Sequence, residues 1–126
     1  MMLQIVFCLY LANTILLVFH GMDSAHWKEW DLFGLPGGIG GFLLVHFPLY
    51  AVALYGLVPA WEGAAAGRIL SLVIAAAGIS AFGIHQYFLR KGRPEFTTPA
   101  SKRLLRLVPA VAIIRAAATA CTWVSA

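Results

Sequence analysis

The chain has 126 residues, of which 61% are hydrophobic and 11% charged, with a mean hydropathy of +0.84 and a net charge of +4. This balance excludes a water-soluble globular domain and fits a single membrane domain over residues 1–126. It gives no support to nucleic-acid binding, because six of the nine Lys and Arg (Arg90, Lys91, Arg93, Lys102, Arg103 and Arg106) cluster in or beside one connection, where they read as membrane topology.

A helix needs about 20 mostly apolar residues to cross a hydrocarbon core. Four segments meet that requirement, at residues 3–20, 39–58, 67–89 and 104–124. Lipid cannot satisfy an open backbone, and the alternation of a barrel strand is missing, so the expected fold is an all-α, four-helix transmembrane bundle.

The first segment lacks a positively charged start, and the HGMDSAHW that follows is a poor cleavage site, so it is expected to be retained as a helix. Asn13 and His20 lie seven residues apart and share a face that should point at the other helices. Cys8 and Cys121 fall inside spans near one end of the bundle. A disulfide between them is conceivable, but buried small-residue packing is the simpler reading. No C-x-x-C-H occurs, which excludes covalently attached haem.

The stretch HGMDSAHWKEWDLFGLPGGIGG from His20 to Gly41 holds three of the five acidic residues and two of the four histidines. It is too charged for lipid, yet Trp27, Trp30 and Phe33 recur every third residue, which predicts a short helix lying in the interface. Leu35-Pro36 should end that helix. Gly37, Gly38, Gly40 and Gly41 then open the second span, where close helix packing explains them better than an anion cradle does. In that span Pro48 follows His46 and frees the carbonyl of Leu44, while Tyr50 lies one turn beyond His46 on the same face.

Ser71, Gly78 and His85 repeat every seven residues along the third span, so a stripe of small residues should carry His85 inward. In the basic loop RKGRPEFTTPASKR, Thr98 before Pro99 forms a good helix cap. The fourth span contains Pro109 and, near its middle, Arg115, with Thr119 and Thr122 on the same side. A guanidinium at that depth must snorkel or find a partner in Asn13, freed carbonyls, water, a lipid headgroup, a ligand anion or an acid on another chain.

Lys28 adds to the basic side while Arg68 stands alone opposite, so the first and third connections are expected in the cytoplasm and both termini outside. Trp27 and Trp30 then fall at the inner headgroup level, and Trp61 and Trp123 at the outer one.

The pattern LANTILLVFHGMDSAHWKEWDLFGLPGGIGGFLLVHFPL, followed by FGIHQYFLRKGRPEF, resembles a group of short bacterial integral membrane proteins classed as a domain of unknown function. Its marks are an H-x-x-D element, the W-x-E-W-x-L-F-x-L-P-G-G run, and single histidines in spans two and three. Members more often carry Glu after the first histidine, where this chain has Gly21, so a carboxylate at that place is not essential here. The resemblance implies four membrane helices and a bacterial cytoplasmic (inner) membrane, and it supplies no activity.

Counted at ~1.5 Å per residue, His20 ends span one on the inner side, His46 lies ~10 Å inside span two, and His85 lies ~6 Å inside span three. Three helices thus bring three imidazoles to one depth, and Asp23 stands at i+3 from His20. His20, Asp23, His46 and His85 form a candidate metal site, with Tyr50 or Gln86 orienting the ligands. Haem b held by His46 and His85, or acid–base chemistry on a small apolar ligand, are the alternatives. The bland reading makes each histidine a hydrogen-bonded residue near a span end. His26, Glu29 and Asp31 read as interfacial surface, since on an ideal helix Glu29 points nearly opposite to His20. The competing function is a non-catalytic accessory or scaffold subunit, in a homo-oligomer or larger membrane complex, whose Arg115 meets a partner carboxylate.

Overall fold

Each apolar run becomes one long helix in the computed structural model, which describes residues 1–124. The elements are α1 (Met2–His26), α2 (Glu29–Phe33), α3 (Gly38–Tyr55), α4 (Leu57–Trp61), α5 (Ala65–Arg90) and α6 (Pro99–Val124). α1, α5, α6 and the continuous stretch Gly38–Trp61 are each long and apolar enough to cross a membrane. At ~1.5 Å per residue they exceed the ~30 Å hydrocarbon core. The short α2 lies between the first two spans, and α3 and α6 both run on through their internal prolines, Pro48 and Pro109.

Lipid is itself apolar, so the helices gain little by burying Leu or Phe and associate instead through small residues and hydrogen bonds. The bundle centre follows that rule. α6 packs along both α1 and α5, around fully buried Asn13, Ser71, Ala75, Ala112, Arg115 and Thr119. Ser71 and Thr119 share a hydrogen bond of 3.0 Å between α5 and α6, and Asn13 Nδ2 donates to the Val108 carbonyl at 3.4 Å. Gly78 lets α6 approach, since a Cβ there would stand 3.2 Å from Val108 Cγ1. The predicted stripe of Ser71, Gly78 and His85 is buried throughout.

α3 sits apart from this three-helix core, resting on α1 and α2 with much of its surface turned outward, including Leu44, Phe47 and Tyr55. Near the basic loop, Thr98 caps α6 as expected: its Oγ1 accepts from Ser101 N at 3.1 Å and Pro99 takes the first helical position.

Three local expectations need correction. α1 runs on to His26 with Ser24 fully buried, so the short interfacial helix is confined to Glu29–Phe33 and Trp27 falls before it. The glycine run after α2 serves a tight reversal rather than helix packing. Gly37 sits at φ 88° as the N-cap of α3, and a Cβ at Gly41 would collide with the Pro36 carbonyl. Cys8 and Cys121 face outward from the bundle and fill no gap inside it.

Candidate functional site

Lys28 decides the site. It takes a left-handed conformation, φ 51° and ψ 51°, and so breaks the helical direction immediately before α2. The chain folds back, and Glu29 is carried inward to 7% exposure instead of facing away from His20. Its Oε1 lies 3.3 Å from His85 Nε2 on α5, and the same His85 nitrogen lies 3.2 Å from His20 Nε2 on α1. Glu29, His85 and His20 therefore form a continuous chain drawn from three elements. The two imidazoles meet edge to face, with centroids 4.9 Å apart. Phe96 closes one side, its ring 4.3 Å from His85. It is brought in from the basic loop by a left-handed backbone, φ 61°.

The proton inventory of this chain is constrained. An ionised carboxylate can only accept, so beside it His85 Nε2 carries the proton and His20 Nε2 faces that same proton with its lone pair. Burial pushes the Glu29 carboxyl up, but the hydrogen bond and charge offered by His85, aided by His20, outweigh it and hold the group below its ordinary 4.5.

His20 and Glu29 also line a cavity of about 190 Å³ whose other walls include Leu17, His46, Tyr50 and Ile74. His46 is held in a defined state. Its Nδ1 is 2.9 Å from the Phe42 carbonyl, which can only accept, so Nδ1 bears a proton and, in the neutral ring, Nε2 is the acceptor. Phe42 stacks on the same ring at 3.8 Å. Tyr50 donates to the Leu17 carbonyl at 3.3 Å, and Gly21 makes room for it: a Cβ at Gly21 would occupy the place of the Tyr50 hydroxyl.

Of the four residues expected to hold a metal, His20 and His85 touch, while His46 shares the cavity with His20. Asp23 belongs to a second polar group. It accepts from Ser101 Oγ at 2.8 Å, and Ser101 Oγ in turn accepts from Trp27 Nε1 at 3.0 Å. Because the Ser101 proton is directed at Asp23, Thr98 Oγ1 donates to Ser101 at 2.7 Å, and the set ties the end of α1 to the start of α6. Among the described residues no three His, Cys, Asp or Glu are disposed to hold a metal ion. The Nε2 of His85, through which that residue would meet a haem iron, faces Glu29 and His20.

Asn13 lies deeper in the bundle, and Arg115 is wholly enclosed there, so it neither snorkels nor presents itself to another chain. Its guanidinium carbon stands 5.0 Å from the Tyr10 ring centroid. None of its three nitrogens has a hydrogen-bond partner among the described residues. Sequence reasoning missed Glu29 and Phe96. The one available signal was the acid set between aromatics in W-K-E-W, next to a span that carries Asn13 and His20.

A family model described as a family of unknown function (DUF6713) matches residues 6–122, and the chain belongs to that family. No curated protein and no solved structure matches the chain.

Proposed function

We propose that this membrane protein of the DUF6713 family binds a small, mostly apolar ligand beside His20 and exchanges a proton with it. The observation that carries the reading is the unbroken chain from Glu29 through His85 to His20, which ends at a cavity with otherwise largely apolar walls. In this reading Glu29 is a positioning residue that keeps the proton on His85, and His20 is the group that meets the ligand. His46, with its acceptor nitrogen turned to the same cavity, supplies the base, and His20 supplies the Nδ1–H. The cavity size supports a compact ligand, since a cavity of ~150 Å³ already admits benzene. The excess of Lys and Arg around the α1–α2 and α5–α6 connections supports a site toward the cytoplasmic face of a bacterial inner membrane, with both termini outside.

Mass spectrometry of organic extracts tests this. Protein purified in mild detergent is expected to release a lipophilic compound near one equivalent, and His20→Gln protein to release less than a tenth of it. Equal release from both proteins overturns the reading.

A second reading, an accessory subunit of a larger membrane complex, rests on the outward face of α3 with Leu44, Phe47 and Tyr55. It requires a partner of fixed stoichiometry on purification, and a solitary monodisperse protomer contradicts it.

A further inference from the structure

His46, Tyr50 and Gly21 line the inner cavity and, equally, an outer groove of about 350 Å³ between α1 and α3. The remaining walls of the groove include Val18, Met22, Leu43 and Phe47, with no charged residue among them. Met22, Leu43 and Phe47 are 64%, 59% and 76% exposed, so the groove opens sideways, toward lipid, near the α1–α2 end of the two spans. Between groove and cavity stands the Tyr50 side chain. Its place is cut into α1 by the missing side chain of Gly21, and its tie to α1 is a single bond to the Leu17 carbonyl at 3.3 Å, near the long limit for such bonds. A ring that rests in a notch and is latched by one long hydrogen bond can swing aside at small cost.

The chemistry of the head group follows from His46. Its Nδ1 proton is committed to Phe42, so Nε2 offers only a lone pair, and the complementary ligand group is a donor. An apolar groove excludes a fully charged donor such as an ammonium, because its desolvation is costly. A neutral hydroxyl fits: its proton goes to His46 Nε2 while its oxygen accepts from the Nδ1–H that a neutral His20 carries when its Nε2 is turned to His85.

We propose that the ligand is a lipid-soluble hydroxyl compound, a phenol or comparable alcohol, which reaches His20 from within the bilayer by passing between α1 and α3 at the Gly21–Tyr50 notch. This rests on the acid–base reading of the His20 site. Access from the membrane suits such a compound, which partitions into lipid.

The test uses full-length protein with 15N-labelled histidine in phosphatidylcholine nanodiscs, titrated with 4-hexylphenol. The His46 and His20 ring signals are expected to shift saturably. Leu43→Trp, at an outward position, and Val18→Trp both fill the outer groove without touching the histidines. Each is expected to slow exchange or weaken binding at least tenfold while the His20 and His85 signals of the free protein stay in place. Wild-type behaviour in both tryptophan variants overturns the route between α1 and α3 and leaves the site reading standing. Histidine signals that ignore the probe in the wild type overturn the hydroxyl class. His20→Gln protein binding the probe as the wild type does would instead sink the acid–base reading itself.

Discussion

An ionised Glu29 fixes the tautomer of His85, and through it the lone pair that His20 turns toward their shared proton. Because its folded pKa lies below the ordinary 4.5, Glu29 contributes stability that is fully present above the unfolded value and is lost as pH falls through the folded one. Glu29→Gln is therefore expected to flatten the acid limb of a thermal-midpoint profile taken below that pH. Near neutrality it should cost about 1 kcal/mol, the difference between a charge-assisted and a neutral hydrogen bond. A profile that superimposes on the wild type would show that the carboxylate is not engaged.

Arg115 poses the opposite problem, a buried cation offset by the Tyr10 ring and by no acid among the described residues. A desolvated cation–π contact is worth roughly 2 kcal/mol, less than the several kcal/mol that enclosing the charge costs. Arg115→Met should accordingly leave the thermal midpoint unchanged or raise it, by an amount equivalent to ~1 kcal/mol or more. A marked fall would mean that an anion or ordered solvent pairs with the guanidinium in the membrane.

At the level of elements, the reversal at Lys28 is what converts two helices into a site. Proline fixes φ near −65°, incompatible with the 51° observed, so Lys28→Pro should turn Glu29 out of the bundle. The His85 ring signals of that variant should then match those of Glu29→Ala, while circular dichroism changes little. Retention of the wild-type His85 signals would contradict the role given to the turn.

The same turn explains what could be read in advance. His85 was legible because Ser71 and Gly78 mark its face at seven-residue intervals, and His20 because Asn13 does the same on α1. Glu29 was not. Its direction was extrapolated along one ideal helix, and a single left-handed residue breaks that extrapolation without leaving any trace in hydropathy. Asp23 fails for a related reason. Its i+3 spacing from His20 is correct, but α6 reaches it first with Ser101.

For the whole molecule, the division of labour follows from the solvent. α1, α5 and α6 hold together through small and hydrogen-bonding side chains, while α3 rests on α1 and α2 with much of its surface outward, as expected where lipid competes equally for its apolar surface. That loosely held fourth helix is also the one that brings His46 and Tyr50 to the cavity. The four spans were legible from length and apolarity alone. The polar character of the core was legible only residue by residue, because a scale that rewards burial of hydrophobic side chains points the wrong way in a membrane.

The account turns on two imidazoles from α1 and α5 sharing one proton under the hold of a carboxylate. Solid-state NMR of 15N-histidine protein in lipid bilayers, with His26 and His46 assigned by substitution, measures this directly. It should give a His20 Nε2 to His85 Nε2 correlation consistent with the 3.2 Å separation, altered by Glu29→Gln. Two independent histidine spin systems, with no correlation and no response to that substitution, would contradict it.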